Sequence, residues 1–142
     1  MRHLFLLLLA TAALALVGCD DDDGPVDVEE PVLDERVIDT FMGTVEQGGS
    51  SINLFTVVGL NQTDLTITTL APLETITMGL GVGTTADGGE TCSFVAQDNS
   101  VRQGETLIAG TLSPGDYCVS VFDVGNIFPD QTVTYSIDVE HP

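Results

Sequence analysis

Few side chains in this sequence are equipped for catalysis, and their spacing limits what they can do. Histidine is the usual general base near neutral pH. Beyond residue 18 there is one, His141, second from the end of the sequence. Serine or cysteine nucleophiles therefore lack a well-placed base. No G-x-S-x-G or H-E-x-x-H pattern occurs, and with no lysine anywhere there is no phosphate loop of the lysine type. Asp87, Glu90, Asp98, Glu105, Asp116, Asp123 and Asp130 offer pairs of carboxylates of the kind a glycosidase uses. Sugar subsites usually stack rings on exposed aromatics, however, and the chain has no tryptophan. The expectation is a protein without enzymatic activity. Asp123, Asn126 and Asp130 place three side-chain oxygens in one expected loop, the donor type a hard cation such as calcium takes. Asp123-Val124-Gly125-Asn126 also reads simply as a turn, and that is the favoured reading. No other cofactor is suggested.

The most informative chemical group is Cys19. Leu4 to Val17 is an uncharged run of 14 residues behind Arg2 and His3. It is shorter than the roughly 20 residues a membrane-spanning helix needs and fits the apolar region of a secretory signal. Leu16-Val17-Gly18-Cys19 resembles the bacterial lipobox, in which the cysteine thiol is diacylglycerylated and the peptide is cut just before it. The resemblance implies a signal peptide over 1–18 and a lipid anchor on Cys19. Two or three acyl chains hold a protein stably on a membrane without spanning it. Asp20, directly after the cysteine, resembles the inner-membrane retention signal of enteric bacteria. The acidic run that follows resembles surface-export signals of other bacterial groups, so the membrane stays open within the cell envelope.

Residues 19–39 form the expected tether. Ten of the 22 acidic residues lie in Asp20–Asp39, with two prolines and a glycine; such a segment repels itself and stays extended. Removing residues 1–18 leaves only Arg36 and Arg102 against all 22 carboxylates. Nucleic-acid binding needs several cations to neutralise phosphates, so that class of partner is excluded. The same balance disfavours contact of the protein face with an anionic membrane. A solvating acidic surface is the plain reading, and a saline habitat is another source of such acidity.

Residues 40–142 read as one domain. Thr132–Glu140 alternates Val133, Tyr135, Ile137 and Val139 with polar residues, the pattern of a strand with one face buried. Asp116–Asp123 carries apolar or sulfur groups on both faces and suggests a central strand. Val37–Glu46, Ser51–Leu60, Asp64–Leu70, Ile76–Val82, Thr91–Gln97 and Glu105–Leu112 complete the set. Turns are expected at Gly48-Gly49, Asn61-Gln62, Pro72, Asp87-Gly88-Gly89, Asp98-Asn99 and Ser113–Asp116. Gly79-Leu80-Gly81-Val82-Gly83 is expected to be a strand whose glycines permit bulges or close backbone approach. Phe128 is expected to pack under the sandwich. About eight short strands predict an all-β, antiparallel two-sheet β-sandwich. With Cys19 lipidated, Cys92 and Cys118 remain as an even pair in an oxidising compartment, which predicts a disulfide. A zinc site would want further ligands.

Gly43-Thr44-Val45, Leu54-Phe55-Thr56-Val57, Leu112-Ser113-Pro114-Gly115-Asp116-Tyr117-Cys118-Val119-Ser120-Val121 and Tyr135-Ser136-Ile137-Asp138-Val139 follow in that order. Together they resemble the bacterial pre-peptidase C-terminal domain over about Thr40 to Pro142. The resemblance implies a jelly-roll-like sandwich serving as an accessory module of secreted proteins, one that often follows a hydrolase and binds polymer or matrix. Here the module is expected to stand alone, with no enzyme domain before it. Where some members carry acidic calcium ligands, this chain has Ser50, Ser51 and Asn53. Asp123-Val124-Gly125-Asn126 and His141-Pro142 look like a lipoprotein subgroup of such domains. The functional expectation is a non-catalytic envelope lipoprotein presenting an interaction or structural module to an envelope protein. The alternative is a polysaccharide- or matrix-binding module, with or without calcium.

Overall fold

A computed structural model describes residues 35–142. Cys19, the signal peptide and the acidic segment up to residue 34 lie outside the described residues. Eight strands follow in order: β1 (Val37–Glu46), β2 (Ser50–Val57), β3 (Gln62–Ala71), β4 (Met78–Thr84), β5 (Ser93–Val101), β6 (Thr106–Thr111), β7 (Gly115–Phe122) and β8 (Thr132–His141). They form two four-stranded sheets, ordered β1-β8-β3-β6 and β2-β7-β4-β5, with antiparallel pairing throughout. This alternation of strands between two sheets is the eight-stranded jelly roll.

Alternation along the strands decides what is buried. Val133, Tyr135, Ile137 and Val139 of β8 point inward and meet Leu65, Ile67 and Leu70 of β3. From the other sheet come Val119 and Val121 of β7 with Leu80 and Val82 of β4. These residues share one buried cluster with Val45, Phe55, Val57, Met78 and Val101. Both β7 and β8 are central strands, as expected for β7 from its two covered faces. β7 is buried on its outer face too, at Cys118 and Ser120.

Two expectations shift. Val37–Glu46 is a strand as read, and Val37, Ile38 and Asp39 pair with His141, Glu140 and Val139. The segment read as tether therefore ends inside the sheet. Asp98-Asn99, read as a turn, lies within β5. There Leu80 pairs with Asp98 while Met78 pairs with Val101, leaving an extra residue in β5. The backbone N–H and hydroxyl of Ser100 both donate to Asp98 Oδ1 at 2.8 Å. Turn-type residues here build a bulge in an exposed edge strand.

Candidate functional site

Because neighbouring strands are antiparallel, the β1–β2, β3–β4, β5–β6 and β7–β8 connections gather at one pole of the sandwich. Asp123, just after β7, is the centre of that pole. Its Oδ1 accepts the backbone N–H groups of Gly125, Asn126 and Ile127 at 2.9, 2.9 and 3.1 Å. Its Oδ2 accepts from the N–H of Gly48 in the β1–β2 turn at 2.8 Å. The N–H of Asp123 in turn donates to the Gly49 carbonyl at 3.0 Å. Desolvation pushes the Asp123 pKa up, but the four N–H groups outweigh it and hold the carboxyl below its ordinary value. The Asn126 amide donates to the Thr77 carbonyl at 3.0 Å, tying in the β3–β4 connection. Ile127 is buried and anchors the loop, while Phe128 beside it stands 67% exposed rather than under the sandwich.

The three calcium candidates are thus not brought to one point. Asp123 and Asn126 border a recess with Asn99, Phe122 and Val124. Asp130, at φ 62°, borders another with Glu46, Gln47, Gln131 and Thr132. Among the described residues, no group of three or more His, Cys, Asp or Glu is placed to hold a metal ion. The hydrogen bonding at Asp123 is that of the turn reading.

His141, the Cys92–Cys118 pair, Asp87, Asp116 and Glu105 are also built into the scaffold. His141 is 3% exposed. Its ring lies 5.1 Å from that of Phe55, and Nε2 is 3.0 Å from Asp39 Oδ2. Cys92 and Cys118 form the expected disulfide, with Cα atoms 5.9 Å apart. It fastens the β4–β5 connection to the outer face of β7. Asp87 accepts from the Thr85 and Thr91 hydroxyls and from the N–H groups of Thr91 and Glu90. The Thr85 hydroxyl is the largest of the causes holding its carboxyl well below the ordinary range. Asp116 accepts from Thr56 at 2.8 Å, and Glu105 from the Arg102 N–H at 2.9 Å.

Two tyrosines explain motif residues physically. The Tyr135 hydroxyl donates to Ser51 Oγ at 2.8 Å and accepts from the Asn53 amide at 3.0 Å. Gly43 lies opposite Tyr135, and a Cβ there would come within 2.7 Å of the hydroxyl. The Tyr117 hydroxyl donates to the Ser113 carbonyl at 2.9 Å, closing the turn before β7 much as a tyrosine corner does.

Sequence reasoning missed one feature, on the outer face of the β2-β7-β4-β5 sheet. The rings of Phe94 and Phe122 stack, centroids 5.5 Å apart and planes at 20°. They occupy the space above Gly79 and Gly81, where added Cβ atoms would meet them at 2.1 and 2.7 Å. The glycine run signalled a close approach but not its partner. Phe94 stays 38% exposed, and both rings border a recess with Ser50, Ile52, Glu90, Thr91, Cys92 and Ser120. The chain matches no known protein family and no curated protein.

Proposed function

We propose that the chain is a bacterial envelope lipoprotein. Cys19 carries the lipid anchor, and the jelly roll is presented as a non-catalytic interaction or structural module facing the periplasm or the exterior. The observation that carries this reading is the Cys92–Cys118 disulfide, because such bonds persist in oxidising compartments outside the cytoplasm. It agrees with an apolar signal ending in Leu16-Val17-Gly18-Cys19. The non-catalytic role is supported by the use made of His141, Asp87 and Asp123, each engaged in holding loops or strands. The resemblance to pre-peptidase C-terminal domains, resting on the motif residues, points the same way. Expression in a bacterial host with membrane fractionation and mass spectrometry tests the anchor. The intact chain sediments with membranes bearing an acylated Cys19, and Cys19→Ala moves to the soluble fraction. An unmodified Cys19 in the mature protein overturns the reading.

One observation favours binding of a polysaccharide as a second reading. Phe94 and Phe122 offer apolar ring faces beside the Ser50, Thr91 and Glu90 side chains, a combination suited to the faces and hydroxyls of a sugar. Retarded migration in gels containing a neutral polysaccharide, lost on Phe94→Ala, is the expected outcome. Equal migration of the two proteins in every polymer tried removes this reading.

A further inference from the structure

The two long sides of the sandwich are not alike. On one side, edge strand β5 carries two bulges, one near Val95 and one at Asp98–Ser100. Edge strand β6, only six residues long, is bulged against β3 around Ala109. On the other side, β1 and β2 pair with β8 and β7 over ten and eight residues with no register shift. A straight unpaired edge is a row of backbone donors and acceptors open to another strand, and proteins commonly blunt such edges with bulges, charges or proline. β1 has no bulge and no proline, and of its ten residues only Asp39 and Glu46 are charged. In a chain with a formal charge of −19, that is an unusually neutral strip. Its solvent-facing row begins Ile38, Thr40, Met42, with Ile38 59% and Met42 76% exposed.

We propose that β1 is a self-association edge on which a second copy of this chain adds its own β1, antiparallel, about a two-fold axis at Thr40. The residue pattern selects a copy of itself as the occupant. With Thr40 opposite its own counterpart, Ile38 falls opposite Met42 and Met42 opposite Ile38, two apolar cross-strand pairs on the solvent face. Asp39 then faces Phe41, and Val37 faces Gly43, so no carboxylate meets a carboxylate within the paired segment. An interface that maps one patch onto itself is the isologous kind that closes as a dimer. The β1-β8-β3-β6 sheet becomes half of a continuous eight-stranded sheet. The surrounding acidity opposes the contact, so association strengthens as added salt screens the two copies from one another.

The test is sedimentation of the full chain in detergent, at low and at high sodium chloride. The wild type is expected at twice the protomer mass, with the dimer fraction rising with salt. Ile38→Glu and Met42→Glu are expected at the single mass. Ile108→Glu, on edge strand β6, keeps the dimer. Retention of the Cys92–Cys118 disulfide and an unchanged far-ultraviolet spectrum verify that each variant is folded. Oxidation of Thr40→Cys, expected to link two copies where Ile108→Cys does not, provides a second readout. A wild type at the single mass under every salt condition overturns the proposal. So does dissociation by Ile108→Glu as complete as that by Met42→Glu, or equal cross-linking of the two cysteine variants.

Discussion

Asp123 shows how one side chain can organise a whole pole. Four backbone N–H groups from two connections converge on its carboxylate, and hydrogen bonds to a charged acceptor are worth about 1.5–3 kcal/mol each at best. Partial exposure to water reduces that, so Asp123→Asn is expected to cost about 1–3 kcal/mol in denaturant titrations. The folded-state pKa lies below the ordinary value. The carboxylate's contribution is therefore complete above the unfolded value of about 3.9 and is lost as pH falls through the lower folded value. The gap between wild type and Asp123→Asn should be widest near neutrality and shrink below about pH 4. The glycines of β4 yield a contrasting pair. A Cβ on Gly83 would meet the Ser93 carbonyl oxygen at 2.0 Å, whereas one on Gly79 would meet the Phe122 ring. A ring can rotate aside and the backbone of a paired strand cannot. Gly83→Ala should lose more stability than Gly79→Ala, with overpacking costs typically about 1–3 kcal/mol, as read from thermal melts of the two variants.

At the scale of elements, legibility in the sequence follows burial. β8 declared itself because every second residue enters the core, and β7 because both of its faces are covered. On an edge, few side chains of β5 are buried, so its far end shows no apolar alternation and Asp98-Asn99 reads as a turn. The Asp39–His141 contact could not be read at all. The two residues are 102 positions apart and meet only through the β1–β8 register, which no local pattern encodes. The calcium candidates were legible as oxygen donors, but whether a donor is free depends on which backbone groups turn toward it. The disulfide was legible by counting. It closes a separation of 26 residues, so replacing both Cys92 and Cys118 with alanine should lower unfolding free energy by roughly 3.5 kcal/mol on loop-closure entropy alone. A rise in denaturant slope alongside the lower stability would be the sign of that mechanism, because the freed unfolded chain exposes more surface.

Over the whole described region, residues 35–142 hold 14 carboxylates against Arg36 and Arg102. Arg36 relieves part of the carboxylates' repulsion, 2.8 Å from Asp64 and 3.4 Å from Glu140. Repulsion among the rest acts over the Debye length, about 30 Å at 0.01 M salt and 3 Å at 1 M. Sodium chloride should therefore raise the melting temperature by a few degrees across that range, about 0.5–1 kcal/mol, with potassium acting equally. A greater rise with calcium at matched ionic strength would instead reveal a specific site. The layout of the strands also has a mechanical side. β1 begins beside the pole where Pro142 lies and runs ten residues to the opposite pole, and β8 runs back beside it. When a load is applied at residue 36 and resisted by something gripping the Asp123 pole, the pull runs along β1. All ten residue pairs between β1 and β8 then bear it together in shear, rather than opening one after another like a zip. A domain held in that way resists extraction far better than one pulled across its strands, so this direction of attachment suits a part that must hold on.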